Sequence, residues 1–185
     1  VEKMKIGIIS DTHGSVKGWE NAWKIIKDTD IIIHCGDILN HGPGNPLPEG
    51  YSPKKLVEIL NGVKIPLLIV KGNCDSEVDQ LFLDYPLSFP FLFSQIGQLR
   101  ILSSHGHIFK EEEWLSLGKK WKIDILISGH THLWKVEKKE NAVILNPGSP
   151  SLPKKEPTVA VVDESLRKIE IFNVETGKVI NSLLF

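Results

Sequence analysis

Five short apolar runs in this chain each end in a cluster of aspartate, histidine, asparagine or glycine, and this pattern constrains the fold more than any other feature. Residues 4–9 lead into Asp11-Thr12-His13, residues 30–34 into Cys35-Gly36-Asp37, and residues 67–70 into Gly72-Asn73-Cys74-Asp75. Residues 99–103 lead into His105-Gly106-His107, and residues 123–127 into Gly129-His130-Thr131-His132. Such runs are too short for helices and are bounded by turn-forming residues, so they read as buried strands. In open α/β folds the carboxyl ends of parallel strands deliver side chains to one edge of the sheet, where sites form. The five clusters are therefore expected to converge on one edge.

The segments between the runs support an α/β class. Val16, Trp19, Trp23 and Ile26 recur at helical spacing and predict an amphipathic helix over 16–27. Six glycines and prolines between 42 and 50 mark residues 40–50 as a long loop. Ser52-Pro53 reads as an N-cap and first helical residue, with Gly62 as the stop at C′. Residues 111–121 predict a further helix carrying Trp114 and Trp121, and the tryptophans at helical spacing are expected in the core. Residues 81–93 are apolar but broken by Pro86 and Pro90, which predicts irregular structure or short strands. Residues 143–145, 159–162, 168–172 and 179–184 are strand-like, with little helical pattern among them. A βαβα half followed by a β-rich half predicts one α/β domain over residues 1–185, built on two sheets.

Composition narrows the function. The chain has 185 residues, the length of one ordinary domain, with 41% hydrophobic and 24% charged residues. A formal net charge of -1 lacks the basic excess that holding nucleic acid by its phosphates requires. No apolar run approaches the roughly 18 residues that span a bilayer, so no membrane partner is expected. Two cysteines, Cys35 and Cys74, make neither a disulfide framework nor a zinc-thiolate set, and a cytoplasmic enzyme is expected.

The residue types at the strand ends are those that bind metals. In extended backbone, residues two apart share a side, so Asp11 and His13 reach one ion together while Thr12 faces away. His130 and His132 flank a site in the same manner. Carboxylate, imidazole and carboxamide donors, without an obvious thiolate, are too rich in imidazole for Mg²⁺ or Ca²⁺. The set suits Mn²⁺ first, with Fe²⁺, Zn²⁺ or Ni²⁺ as alternatives. Asp11, His13, Asp37, Asn73, His105, His130 and His132 exceed the needs of one ion, so two are expected. His34 reads as a satisfied core histidine, His107 as a support rather than a ligand, and Asn146-Pro147-Gly148-Ser149 as a structural turn.

The motifs DTHG, GD, GNCD, HGH and GHTH, in that order, resemble those of the calcineurin-like metallophosphoesterase superfamily. The stretches GDILNHGPGNPLPEGY, GNCDSEVDQ and NPGS narrow the resemblance to the small bacterial phosphodiesterases of the YfcE type, over residues 6–152. The resemblance implies a four-layer αββα sandwich, in agreement with the two-sheet reading. It implies that Asp11, His13, Asp37 and His132 hold one metal, and that Asp37 bridges to a second held also by Asn73, His105 and His130. The implied reaction is in-line attack on a small phosphate diester by a hydroxide bridging two divalent ions. Asp11, Asp37 and that hydroxide would cancel three of the ions' four positive charges, leaving net positive charge to face a phosphate anion.

Most of the superfamily carries histidine where this chain has Cys74. A thiol is a weak donor and a poorly matched acid for an alkoxide, so Cys74 joins Asp37, Asn73 and His105 as an expected catalytic residue that favours diesters over alkyl monoesters. His41, Lys71 and Cys74 are the candidate substrate contacts, and Arg100 and Arg167 lie outside every motif. Two other readings stand beside this one: a phosphomonoesterase or nucleotidase, and a non-catalytic protein-interaction scaffold like the endosomal coat subunit that shares the fold. Apolar residues within 81–93 would support self-association into a homo-oligomer.

Overall fold

The computed structural model describes residues 3–140 and 142–185. The first half alternates strand and helix: β1 (Lys5–Ile9), α1 (Val16–Ile26), β2 (Ile31–His34), α2 (Pro53–Asn61) and β3 (Leu67–Val70). A short 3-10 helix (Glu77–Leu81) precedes β4 (Leu87–Ser88) and β5 (Leu92–Ile96). Then come β6 (Leu99–Ser103), α3 (Glu111–Trp121), β7 (Ile125–Ile127), β8 (Trp134–Lys139), β9 (Ala142–Pro147), β10 (Thr158–Asp163), β11 (Lys168–Asn173) and β12 (Val179–Leu184).

Two sheets form. One has the order β12-β11-β10-β1-β2-β3-β4, in which β1 to β4 are parallel and the last three strands add on antiparallel. The other has the order β5-β6-β7-β9-β8, with a parallel centre β6-β7-β9 and antiparallel edges. Ile6, Ile8, Ile33, Ile101, Ile127, Leu145 and Ile171 pack between the sheets in an apolar core. Trp19, Ala22 and Ile26 of α1, with Leu56 and Leu60 of α2, cover the outer face of the first sheet. Trp114 of α3 covers Leu102 and Leu126 on the outer face of the second. The layers therefore run helix, sheet, sheet, helix, as expected. Central strands such as β2 (IIIH) and β7 (ILI) are apolar on both faces because both faces are covered.

Several local expectations need correction. Residues 134–139 form β8, which the sequence reading passed over. Its run WKVEKK is mostly charged, and only the alternation of Trp134 and Val136 onto the core marks it as an edge strand. Gly62 lies in the right-handed helical region at φ -84, closing α2 without the left-handed turn of a C′ glycine. Ser52 precedes α2 but makes no side-chain cap bond. Residues 81–93 divide their apolar side chains: Leu83 is buried, whereas Leu81, Phe82, Phe89 and Phe93 are exposed. Among the described residues no helix is long and apolar enough to cross a membrane.

Trp19 is 1% exposed and stacks on Trp23 with ring centroids 5.9 Å apart. Replacing it by alanine is expected to cost about 3–5 kcal/mol. Thermal unfolding followed by circular dichroism should show Tm falling by roughly 10 °C.

Candidate metal centre

The strand ends converge, but from two sheets rather than along one edge. Asp11, Asp37 and Asn73 follow the adjacent parallel strands β1, β2 and β3, while His105 and His130 follow β6 and β7 of the other sheet. The site therefore bridges the sandwich at one end.

The backbone there is not extended, which corrects the basis on which Asp11 was paired with His13. Asp11 (φ 57), His13 (φ 46), Asp37 (φ 54), His130 (φ 66) and His132 (φ 58) all lie in the left-handed region. Non-glycine residues rarely adopt that conformation, and it persists only where surrounding contacts over-determine it. Here the loops are laced to one another. Asp11 N–H donates to Gly36 O (2.9 Å), His13 N–H to Asp37 O (2.9 Å) and Gly129 N–H to His105 O (2.8 Å).

Six of the seven expected metal-binding side chains fall into two groups. Asp11, His13 and His132 bring their donor atoms together, as do Asp37, His105 and His130. His130 and His132 thus serve different groups instead of flanking one. Asn73 is exposed, and its amide donates to the Cys74 sulfur (3.3 Å).

Each carboxylate divides its oxygens in the same way. Asp11 Oδ2 accepts from His130 N–H (3.0 Å), while Oδ1 lies 3.3 Å from His132 Nε2 and 3.7 Å from His13 Nε2. Asp37 Oδ1 accepts from Cys74 N–H (2.8 Å), while Oδ2 lies 3.2 Å from His105 Nε2 and 3.7 Å from His13 Nε2. The imidazoles are oriented from behind. Nδ1 of His13 donates to Asn40 O (2.8 Å), that of His105 to Cys35 O (2.7 Å) and that of His132 to Leu152 O (2.7 Å). These bonds leave Nε2 of each ring as a lone-pair donor aimed at the carboxylates.

That arrangement fits cations. Nε2 of His13 and Nε2 of His132 face each other at 3.1 Å, with lone pairs opposed. Donors sharing one ion at about 2.1 Å stand roughly 3.0–3.4 Å apart, so the spacing suits a shared metal. Asp11 Oδ1 and His105 Nε2 are buried without a hydrogen-bond partner, as atoms awaiting a metal would be.

Charges around the centre act on protons as well. Burial alone would raise Asp11, but His13, His132 and His105 hold it well below the usual carboxylate range. Burial lowers His105, yet Asp37 and Asp11 outweigh it and lift the imidazole to about 9. His13 is raised against its burial by Asp11 and the Asn40 carbonyl. Burial pushes the Cys74 thiol up to about 12, with the charge of Asp37 adding to it. Its sulfur joins His13 and Asp37 in a third close group. As a neutral thiol it is an even weaker acid than its ordinary value implies.

Other expected residues take quieter places. His34 is fully buried, bonded to Thr12 Oγ1 (3.0 Å) and Gly36 N–H (3.2 Å), and burial takes it down to about 3. His41 meets Tyr51 edge-on across the 40–50 loop, with ring centroids 5.3 Å apart. Lys71 lies at the end of β3, where its N–H donates to Ser88 O (2.8 Å). The Asn146–Ser149 turn grips the site: Ser149 Oγ donates to Asp11 O (2.8 Å) and Asn146 Nδ2 to Gly129 O (2.8 Å).

The sequence reading missed Asp75. Buried at 5% exposure, it accepts from the N–H groups of Asp37 (2.8 Å), Ile38 (2.7 Å) and Gly72 (2.7 Å), clamping two motif loops together. Its burial raises the carboxyl to about 6 despite those bonds. Gly72 matters for the same reason, because a Cβ there would overlap Asp37 Oδ1 and the Asp37 N–H. The available signal was an acidic residue two positions after the asparagine of a strand-end turn, a place where carboxylates gather backbone N–H groups.

Residues 4–166 match the calcineurin-like phosphoesterase superfamily domain. The chain belongs to that superfamily. It is therefore a hydrolase of phosphoester bonds, in a metal-dependent family whose candidate ligands are those described above. Phosphodiesterase YfcE of Escherichia coli K12 is 40% identical over 153 residues, covering 82% of each chain. A solved structure of E. coli YfcE superimposes with a TM-score of 0.88 at 35% identity, covering 97% of this chain and 98% of that one. Vacuolar Protein Sorting 29 from Cryptosporidium parvum superimposes with a TM-score of 0.69 at 20% identity, covering 98% and 96%, and shares the fold alone.

Two outcomes are expected. Asp75→Asn retains one acceptor oxygen but turns an amide toward one N–H, and should cost about 1–3 kcal/mol in urea unfolding; Asp75→Ala should cost more. In metal-free protein the folded pKa of His105, about 9, lies above the ordinary 6.5, so its stabilisation is full below 6.5 and is lost as pH rises through 9. Thermal melts of chelated protein should weaken over that window, and cation affinity should rise across it as the proton is displaced.

Proposed function

We propose that this chain hydrolyses small phosphate diesters using two divalent cations. Asp11, His13, Asp37 and His132 would hold one, and Asp37, Asn73, His105 and His130 the other. The observation that carries this reading is the paired buried carboxylates, each with one oxygen fixed by a neighbouring motif's N–H and the other turned toward lone-pair imidazole nitrogens. Bound cations would lower the pKa of water toward about 7 and draw charge off the phosphoryl oxygens, which supports in-line attack on phosphorus. The side chains hold position: Asp37 lies within reach of both groups, and three carbonyls keep the imidazole nitrogens aimed. Mn²⁺ suits the mixture of oxygen and nitrogen donors, with Fe²⁺, Zn²⁺ and Ni²⁺ as alternatives.

Cys74 supports the preference for diesters. Its neutral thiol sits beside His13 and Asp37, where it is a poor proton source for an alkoxide leaving group. Gly42 of the 40–50 loop lies against that sulfur, and Ser15 pairs with Tyr51 at the loop's far end, so the loop bearing His41 is the proposed substrate selector, with Lys71 as a further contact. Cys35 and Cys74 are both free thiols, in keeping with a cytoplasmic location. The likeness of E. coli YfcE, itself called a phosphodiesterase, supports the same reading.

The test strips the protein with a chelator, restores Mn²⁺, Fe²⁺, Zn²⁺, Ni²⁺ or Mg²⁺ singly, and follows an aryl phosphodiester against its monoester. Restored activity favouring the diester is expected, and Cys74→His should shift the ratio toward the monoester. Equal rates on both esters would place a monoesterase first. Inactivity with every ion, and no bound metal, would leave a scaffold role as the better account.

A further inference from the structure

His107 is an exposed histidine beside the metal centre that belongs to neither donor group. Its ring stands 5.3 Å from that of His105 and 6.0 Å from that of His130, while those two are 5.2 Å apart, so the three imidazoles form a triangle. His105 is fully buried at its base, whereas His107 and His130 are exposed. Gly106 makes this placement attainable: its φ of +107 turns the chain straight after His105, bringing His107 back beside the same ring. His105, His13 and His132 are each fixed by a carbonyl at Nδ1, but His107 makes no hydrogen bond among the described residues. It is an unspent donor at the open side of the Asp37–His105–His130 group.

From this placement we infer that His107 binds substrate, donating a hydrogen bond from its imidazole to a phosphate-ester oxygen lying over the Asp37–His105–His130 group. The inference rests on the metal-dependent phosphoesterase reading above. The surroundings favour that role. Neither arginine is near the motifs, since Arg167 is engaged with Asp124 (3.0 Å) and Arg100 lies on β6 beside the same aspartate. The Cys74 thiol is a weak donor. An imidazole carries at least one N–H in either protonation state, so the His107 ring can donate to a phosphoryl oxygen.

Calorimetry of inorganic phosphate binding to the manganese-loaded protein tests this, with metal content measured on the same samples for wild type, His107→Phe and His107→Asn. Full metal content is expected in all three. Phosphate affinity should fall roughly tenfold in His107→Phe, which keeps a ring but no donor, and recover in part in His107→Asn, which keeps an N–H. KM for the aryl diester should rise more than kcat falls. Unchanged phosphate affinity in fully loaded His107→Phe would overturn the inference, and so would loss of metal from that variant, because His107 would then act on the cations. Wild-type protein that loads metal but cleaves neither ester would sink the diesterase reading while the phosphate titration still decided the role of His107. Wild-type protein that takes up no metal would overturn both.

Discussion

Burying Asp11 and Asp37 next to one another is the constraint around which the rest of this structure is arranged. An uncompensated buried carboxylate costs several kcal/mol, and two of them repel. Compensation comes in two halves: a backbone N–H from a neighbouring motif on one oxygen, and imidazole nitrogens on the other. No single loop supplies both halves. The β1 loop depends on the β7 loop through His130 N–H, and the β2 loop depends on the β3 loop through Cys74 N–H and Asp75. Since β1, β2 and β3 lie in one sheet and β7 in the other, the carboxylates are satisfied only when both sheets are packed.

The left-handed backbone at five site residues follows from the same demand. Extended backbone would also put Asp11 and His13 on one side, and the left-handed turns keep that grouping while Thr12 goes to His34 and the Ile38 carbonyl. The conformation is unfavourable for each residue alone, and the lacing between loops keeps it in place. The backbone conformation at this end of the sandwich is thus held by the interlocked loops, with the sheets as their footing.

Much of this was legible in the chain. Apolar runs ending in Asp, His and Gly marked β1, β2, β3, β6 and β7, because strands buried on both faces leave an unbroken apolar signature. Six of the seven expected ligands fall into the two donor groups because their chemistry differs so sharply from that of the runs before them. The illegible parts have a common physical origin. The edge strand β8 is half solvated, so its charged residues hide its period. The division between two sheets depends on which strands pair, a long-range choice with no local mark. Asp75 looks like any turn residue until its three backbone partners, from two different loops, are in place.

The three imidazoles held at Nδ1 have one further property in common: each is anchored by a main-chain carbonyl, from Asn40, Cys35 and Leu152. A carbonyl belongs to every amino acid. The tautomers at the heart of the site therefore survive replacement of the anchoring residues' side chains, and related chains can drift at all three positions without disturbing the donor atoms. What such drift cannot alter is loop length. An insertion or deletion beside any of these three positions would move the acceptor itself, making the spacing of the loops, more than their lettering, the inherited part of the design.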